Sequence, residues 1–212
     1  MPAKPARTRA KKAPKRQKLS QRKIPRPSRV VAASHRTFFD SIKDGIAIVR
    51  LDEDAMKRAA QDPGALWHGV GIVAIGGVAI AFGMLQPWMV PMLAIAAVIG
   101  SIINIGIIHL LSLLFGGSAT FGEFYRARAL SSVILWPMVI PIVGPFLGII
   151  IGFWDIIVNI VTIRAVHNVS TIRAVFVVLI PIILFTVAVM FLAMYMLFAG
   201  ADTALYSMFA IG

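Results

Sequence analysis

The sequence predicts an all-α protein, a polytopic membrane bundle with five transmembrane helices that follow short amphipathic helices and a disordered basic tail. Hydrophobic residues make up 58% of the 212 residues and charged residues only 14%. Soluble domains average about 45–50% and about 25%. Several apolar runs also approach 20 residues, the length that a helix needs to cross a bilayer. We therefore expect lipid to cover most of the apolar surface.

Residues 1–36 are predicted to form the disordered polybasic tail. Thirteen of the 21 Lys and Arg residues, and none of the nine Asp and Glu residues, lie within the first 39 positions. Such a segment has too few large apolar side chains to offset the entropy of ordering. Anionic headgroups attract basic segments on the cytoplasmic side of a membrane. We expect anionic lipid to contact Lys11, Lys12, Lys15, Arg16, Lys18, Arg22 and Lys23.

Residues 37–62 are predicted to form two amphipathic helices at the membrane interface. Apolar residues recur at helical spacing from Phe38 to Val49, with charged residues between them. This pattern is typical of a helix on the membrane surface, and it fits equally a short helix packed on the membrane domain. The second helix is expected to have Asp52 as its N-cap and to end before Pro63.

The membrane domain, residues 63–212, is predicted to contain the five spans. Apolar runs place them at about 66–85, 88–115, 121–143, 145–163 and 174–200. The third is ambiguous, because its continuous apolar part covers only about 21 Å against a hydrocarbon core of about 30 Å. It either extends back to Phe121, with Arg126 and Arg128 reaching the interface, or stops at Pro137 or Pro141 as a half-helix. We expect a full, Pro-kinked span, because the fourth run has to be connected.

The distribution of Lys and Arg predicts the orientation of the chain. Basic residues occur in the tail and in the loops 116–130 and 164–173, whereas the turns at the opposite ends of the spans have none. Cytoplasmic loops carry the excess of Lys and Arg. We expect a cytoplasmic N-terminus and a C-terminus outside. A half-helix in the third position would give the same charge pattern.

The fourth span carries a stripe of small and polar residues at spacings of three or four. Its members are Gly144, Gly148, Gly152, Asp155, Asn159 and Thr162. Small residues let another helix approach, and polar residues hydrogen-bond across the contact. A carboxylate at membrane depth costs about 3 kcal/mol on insertion scales, so Asp155 is a candidate functional residue. We expect a packed seam with Asn104 as the partner of Asp155, and the alternative is a proton, ion or substrate pathway.

The sequence indicates no enzyme, no cofactor and no metal site. The chain has no cysteine, which excludes disulfides, thiolate nucleophiles and Cys-based metal sites. The stretch from Gly69 to Ala74 matches a permissive dinucleotide-binding pattern, but it lies inside a predicted span and follows no strand. No cytoplasmic loop gathers a nucleophile, a base and an oxyanion donor. We therefore expect a non-enzymatic protein.

Three stretches, in order, resemble those of the Yip family, which is named for interaction with Ypt/Rab GTPases. The loop between the last two spans resembles that family's Arg-x-Val-His, then Ser-Thr, a basic residue and Ala. Gly116 to Phe121 is similar to the glycine-led loop before the third span, and Ile140 to Gly144 is similar to its Pro-x-x-Gly bend. The family-like loop residues are Arg164, Val166, His167, Ser170, Thr171 and Arg173.

The resemblance implies five spans, a cytoplasmic N-terminus and a membrane-organising or trafficking role through protein partners. The N-terminal region that links eukaryotic members to GTPases is not recognisable here, and a polybasic tail stands in its place. The chain therefore looks like the prokaryotic branch of the family, and we expect a prokaryotic cell membrane.

Three functional hypotheses follow. The first is a non-enzymatic membrane-organising or trafficking-like adaptor with anionic lipids and an unidentified membrane or cytoplasmic protein as partners, and with homo-oligomerisation left open. The second is a small channel or transporter that uses Asp155 and Asn159. The third is a membrane tether whose basic tail binds nucleic acid or ribosomes, although nucleic acid is not an expected partner.

Overall fold

The computed structural model describes residues 36–209, with side chains up to residue 198 except at Pro145. This part of the chain is all-helical and contains no strand, as the sequence predicts. The predicted basic tail, with its lipid-contacting residues from Lys11 to Lys23, lies outside the described residues.

Two short helices, α1 (Phe38–Val49) and α2 (Glu53–Gln61), precede the membrane domain. Thr37 caps α1 by accepting a hydrogen bond from the backbone N–H of Asp40. The side chain of Asp52 accepts from the N–H groups of Asp54 and Ala55, at 2.9 and 3.1 Å. These bonds satisfy N–H groups that a helix start leaves without partners. The predictions of the Asp52 N-cap and of a helix that ends before Pro63 are confirmed.

An ion cluster joins the two short helices to each other. Arg36 pairs with Asp44 in α1 and, at 2.7 Å, with Asp62 just after α2, and Arg58 lies 3.6 Å from Asp44. Arg36 precedes α1, Asp44 lies in the middle of α1, and Arg58 and Asp62 lie in and just after the last turn of α2. The ion pairs therefore hold the two helices together as a hairpin.

Helix α1 packs on the membrane domain with one face and exposes another. Ser41 and Ile48 are fully buried, and Ser41 Oγ lies 2.8 Å from His68 Nδ1. Phe39, by contrast, is 74% exposed. The sequence left open whether this helix lies on the membrane surface or packs on the membrane domain. The buried face of α1 packs on the membrane domain.

Four helical stretches are long and apolar enough to cross a membrane: Ala65–Gly83, Pro87–Leu114, Phe146–His167 and Thr171–Phe198. They belong to α3 (Ala65–Gly83), α4 (Val90–Leu114), α6 (Val143–His167) and α7 (Thr171–Phe209). A single 3-10 turn, Pro87–Met89, leads into α4. The first, second, fourth and fifth predicted spans fall on these helices.

The third predicted span is divided instead of forming one kinked helix. It consists of α5 (Phe121–Ser131) and a 3-10 segment (Ser132–Val139) that contains Pro137. Proline has no N–H to donate, which disfavours continuation of an α-helix through that residue. The 3-10 form, with its shorter hydrogen-bonded turns, replaces the α-helix from Ser132 onward.

This divided element runs parallel to α3. A Cβ added at Gly69 would lie 2.8 Å from the Cβ of Ala129, and one added at Gly83 would collide with the carbonyl of Met138. The element therefore follows α3 from near its start to its end, and the two backbones can approach because Gly69 and Gly83 have no side chain.

Helix α7 contacts the bundle mainly in its first part. Val177 and Val178 are buried, whereas every residue from 182 to 198 is exposed. Pro181 marks the change between the two parts. A surface as apolar as this one, in a chain with four candidate spans, fits contact with lipid.

Candidate functional site

A buried polar network joins α5 to α6 inside the bundle. All three guanidinium nitrogens of Arg128 donate: Nε to Asn159 Oδ1 at 2.6 Å, Nη1 to Ser131 Oγ at 2.5 Å and Nη2 to Asp155 Oδ2 at 2.5 Å. The amide of Asn159 also donates to Asp155 Oδ2 at 3.2 Å. The side chain of Arg128 is only 10% exposed. The network is thus a charged pair with its hydrogen bonds satisfied by neighbouring polar groups.

The prediction that Asn104 is the partner of Asp155 is wrong. The carboxylate pairs with Arg128 and not with Asn104, although Asn104 lies near it across a cleft. The sequence predicts that Arg126 and Arg128 reach the interface. Arg126 donates to the carbonyl of Ala60 in α2 at 2.7 Å, outside the candidate spans, whereas Arg128 turns into the bundle. A guanidinium satisfies a carboxylate better than an amide does, because the hydrogen bonds are charge-assisted.

The stripe on α6 is divided into parts with different surroundings. Gly144 and Gly148 lie against Met138, whose carbonyl leaves no room for a Cβ at Gly144. A Cβ at Gly152 would meet no described atom within 4 Å. Asp155 and Asn159 face Arg128, and Thr162 donates to the carbonyl of Val158 at 2.7 Å in its own helix. Close packing therefore involves the first two glycines and not Gly152.

A cleft of about 340 Å³ opens beside this network, between α4, α6 and α7. Asn104, Asp155, Asn159 and Thr186 line it with polar groups, and the rest of the wall is apolar. The side chain of Asp155 remains 26% exposed. The cleft thus reaches the carboxylate of a charge pair whose other member is buried.

A second site lies where the family-like loop meets the loop 116–120. The backbone N–H of Ser118 donates to the carbonyl of His167 at 3.3 Å. A Cβ at Gly117 would lie 2.7 Å from His167 Nδ1 and 2.8 Å from the carbonyl of Ser112. Gly116 has a φ of +88°, a conformation that glycine adopts without strain. The two glycines therefore allow the loops to close on each other.

The arginines of the family-like loop make further connections. Arg164 pairs with Glu53 of α2 and lies 3.4 Å from Thr171 Oγ1. Arg173 donates to the carbonyl of Phe115, at the end of α4, at 3.3 Å. Val166 is buried, and the carbonyl of Ser170 accepts from the N–H of Ala174 at 3.0 Å at the start of α7. The loop is thereby connected to α2, α4 and the loop 116–120.

Two histidines pack together beneath these loops. The ring centroids of His109 and His167 are 5.3 Å apart, and Phe124 lies 5.0 Å from His167. Both ring nitrogens of His167 and Nδ1 of His109 have no hydrogen-bond partner within the described residues. Those residues also contain no group of three or more His, Cys, Asp or Glu side chains that could hold a metal ion. Two imidazoles alone fall short of the four ligands of a structural zinc site.

A polar groove of about 460 Å³ lies next to the joined loops. Lys57 and Gln61 of α2 form one side, and Ser118, Glu123 and Asn168 form the other. Glu123 also accepts from the backbone N–H of Thr120 at 2.7 Å, which holds the first turn of α5 in place. The groove offers donors and acceptors on a surface that the loop contacts hold fixed.

Sequence reasoning identified Asp155, Asn159 and the family-like loop but missed Arg128 and the contact of Gly117 with His167. The i,i+3 spacing of Arg128 and Ser131 is compatible with an arginine that points inward or outward, so it does not indicate which direction Arg128 takes. Nothing in the spacing of Gly117 and His167, 50 positions apart, indicates their contact.

Comparison with known proteins identifies a protein family but no individual protein that is similar to the chain. A family model described as the Yip1 domain matches residues 51–194, which is more than half of the chain. No curated protein and no solved structure matches the chain. Together with the four apolar helices, the family match confirms the prediction of a multi-pass membrane protein.

Proposed function

Because the chain belongs to the Yip1 domain family, we propose that it is a non-enzymatic membrane-organising adaptor that holds a protein partner on its cytoplasmic face. The observation that carries this proposal is the polar groove between α2, the loop 116–120 and the end of α6. Its walls include residues of the family-like loop, which the contacts of Arg164 and Ser118 keep in one arrangement.

The chemistry of the groove suits a polypeptide. Lys57, Gln61 and Asn168 can donate hydrogen bonds, and Glu123 and Ser118 can accept them. A peptide segment brings both kinds of group in its backbone, so a wall with mixed donors and acceptors can satisfy it. Since the loops are fixed before binding, little conformational entropy is lost at the surface.

The proposal includes five crossings, with the N-terminus in the cytoplasm and the C-terminus outside. The 11 residues of α5 and the eight of the 3-10 segment extend about 32 Å at about 1.5 and about 2.0 Å per residue. The hydrocarbon core measures about 30 Å. The parallel course beside α3 also supports a full crossing. Arg126, Arg164 and Arg173 mark the cytoplasmic ends, and a prokaryotic cell membrane is the proposed location.

A photocrosslinking experiment in native membranes tests the adaptor function. A photoreactive residue at Gln61, on the rim of the groove, should give one defined protein adduct. The matched control is the same residue at Asp54, which is exposed on α2 but does not line the groove. Gly117→Val should abolish the adduct while the protein still inserts, because the added side chain separates the loops. Equal adducts at both positions, or none, would refute the proposal.

The second candidate function is a channel or transporter, and the cleft beside Asp155 favours it. Asn104, Asn159 and Thr186 provide polar groups along this cleft. The ion pair of Asp155 with Arg128 argues against transport and for a role in holding α5 to α6. Arg128 already neutralises the negative charge that a transported cation would need. Proteoliposomes that contain a pH-sensitive dye distinguish the two. A proton or cation flux that depends on Asp155 would establish transport, and its absence would support a structural role for Asp155.

A further inference from the structure

The imidazole of His167, the last residue of α6, is fully buried where two loops meet. Its ring centroid lies 5.0 Å from that of Phe124 and 5.3 Å from that of His109. Neither ring nitrogen of His167 has a hydrogen-bond partner within the described residues. A neutral imidazole tolerates such a place better than an imidazolium does, because burying an unpaired ion costs more than burying an unpaired polar group.

The backbone of His167 joins the two loops that together form one wall of the polar groove. Its carbonyl accepts from the N–H of Ser118 at 3.3 Å, and Ser118 and Asn168, one from each loop, line that wall. Gly117 covers Nδ1 of His167, since a Cβ on Gly117 would lie 2.7 Å from that nitrogen. Separation of the loop 116–120 from the end of α6 would therefore expose the imidazole and break up the wall of the groove.

Among the described residues, titratable or charged groups surround His167 from four helices. His109 of α4 and Glu123 of α5 are its titratable neighbours. Arg173 of α7 reaches the junction through the carbonyl that ends α4, and Lys57 of α2 lies on the facing wall of the groove. The carboxylate of Glu123 favours an imidazolium, but it already accepts two hydrogen bonds at the start of α5. The two cations oppose a further positive charge on the buried ring.

We propose that protonation of His167 separates the two loops and releases the protein partner from the polar groove, so that acid switches the adaptor off. The release rests on the proposed function, whereas the loop motion does not. An exposed imidazole takes up a proton near about pH 6.5. The closed loops, which keep the ring neutral, are therefore fully stable above that pH and lose stability below it. For one histidine the equilibrium shifts towards the open loops about tenfold per pH unit.

Labelling of a single cysteine measures the opening in the full chain in detergent, with no partner present. The chain has no cysteine, so Val169→Cys places one thiol in the closed loop at a buried position. Ser170→Cys, at the exposed next position, is the matched control. The ratio of their maleimide-labelling rates cancels the change of thiol reactivity with pH. Protection of position 169 should fall about tenfold from about pH 7.5 to about pH 5.5, and constant protection would overturn the proposal.

Variants identify the histidine responsible. His167→Leu removes the ring nitrogens and fills the apolar site, so position 169 should stay equally protected at both pH values, and His167→Phe should behave alike. His68→Gln, on α3 and away from the loops, is the control and should keep the tenfold change. A pH response that survives in both His167 variants, or disappears in His68→Gln, would refute the role of His167. Loss of protection at both pH values in both His167 variants would show that the imidazole is needed for closure, which contradicts a switch.

The photocrosslinked adduct at Gln61 separates this inference from the adaptor function. The adduct should form at about pH 7.5, disappear at about pH 5.5 and persist at both in His167→Leu. An adduct of equal strength at both pH values in the unchanged protein would overturn release of the partner by acid. If no adduct forms at either pH while position 169 still responds, the adaptor function fails and the opening of the loops by protonation stands.

Discussion

Arg128 and Asp155 are 27 positions apart in the chain, yet Arg128 Nη2 lies 2.5 Å from the carboxylate of Asp155. The pair joins α5 to α6, and Asn159 and Ser131 satisfy the remaining nitrogens of the guanidinium. Its energetic role depends on which member is removed, because breaking a buried pair leaves a charge without compensation.

We predict that Asp155→Asn lowers the free energy of unfolding by about 3 kcal/mol. This value is the lower end of the range of about 3–5 kcal/mol for breaking a buried ion pair, because Asp155 is partly exposed. The double variant Arg128→Met with Asp155→Leu should lose less, since no charge remains buried. Thermal unfolding in detergent compares the single and double variants. If Asp155→Asn is as stable as the unchanged protein, the pair makes no structural contribution.

The glycines of the α6 stripe should respond differently to alanine. Gly144→Ala should lower the unfolding temperature, because the Cβ would collide with the carbonyl of Met138. Gly152→Ala, on the same helix, should leave it unchanged or raise it, since alanine in a helix is favoured over glycine by about 0.5–1 kcal/mol. The same melting measurement serves for both variants. Similar losses at the two positions would indicate that Gly152 is also covered, as by a second copy of the chain.

The contribution of Asp62 to stability should disappear in acid. Burial acts to raise the pKa of Asp62, but the hydrogen bonds from Arg36 and from the N–H of Gly64 lower it below its usual 3.8. A lowered folded-state pKa gives stability that is present above about pH 4 and lost as the pH falls through the folded value. Asp62→Asn should therefore melt earlier at neutral pH. The difference should close below pH 3.8, and a constant difference would show that the charge is not responsible.

The orientation predicts which loops are accessible from each side. A reporter after Gly212 should register outside the cell, and one at Asn168 should register inside. Asn168-Val-Ser170 is also a glycosylation sequon. In a microsomal system it should stay unmodified, and glycosylation there would contradict the proposed orientation.

The tail is expected to bind anionic lipid through its charge. A peptide of residues 1–36 should bind anionic vesicles and dissociate as the salt concentration rises, because salt screens interactions beyond a Debye length of about 10 Å at 0.1 M. Neutral vesicles are the control, and equal binding to them would contradict the prediction. Tighter binding to RNA than to anionic vesicles would favour the tether hypothesis.

The positions of the membrane helices could be predicted because they depend on local composition. Each of the four candidate spans is a predominantly apolar run, and the requirement for about 20 such residues acts within one segment. The N-cap at Asp52 is equally local, since its partners are Asp54 and Ala55. Such features need no knowledge of which helices are neighbours.

The contacts of the site could not be predicted, because they depend on helix arrangement. The choice between Asn104 and Arg128 as partner of Asp155 is decided by the position of α5, which the sequence does not specify. The position of Arg128 in the sequence is compatible with a side chain that reaches the interface or one that turns into the bundle. It turns inward because Asn159 and Asp155 lie on the facing helix. The same holds for Gly117, whose small size is required by a histidine 50 positions later.

The ion pair also bears on how the chain enters the membrane during synthesis. The segment with Arg128 is made before the one with Asp155, and each alone carries a charge that lipid disfavours by about 3 kcal/mol. Once both have emerged, the charges neutralise each other. We expect these two segments to leave the translocation channel together as a hairpin, so that a truncation after Val143 would leave the earlier one poorly inserted.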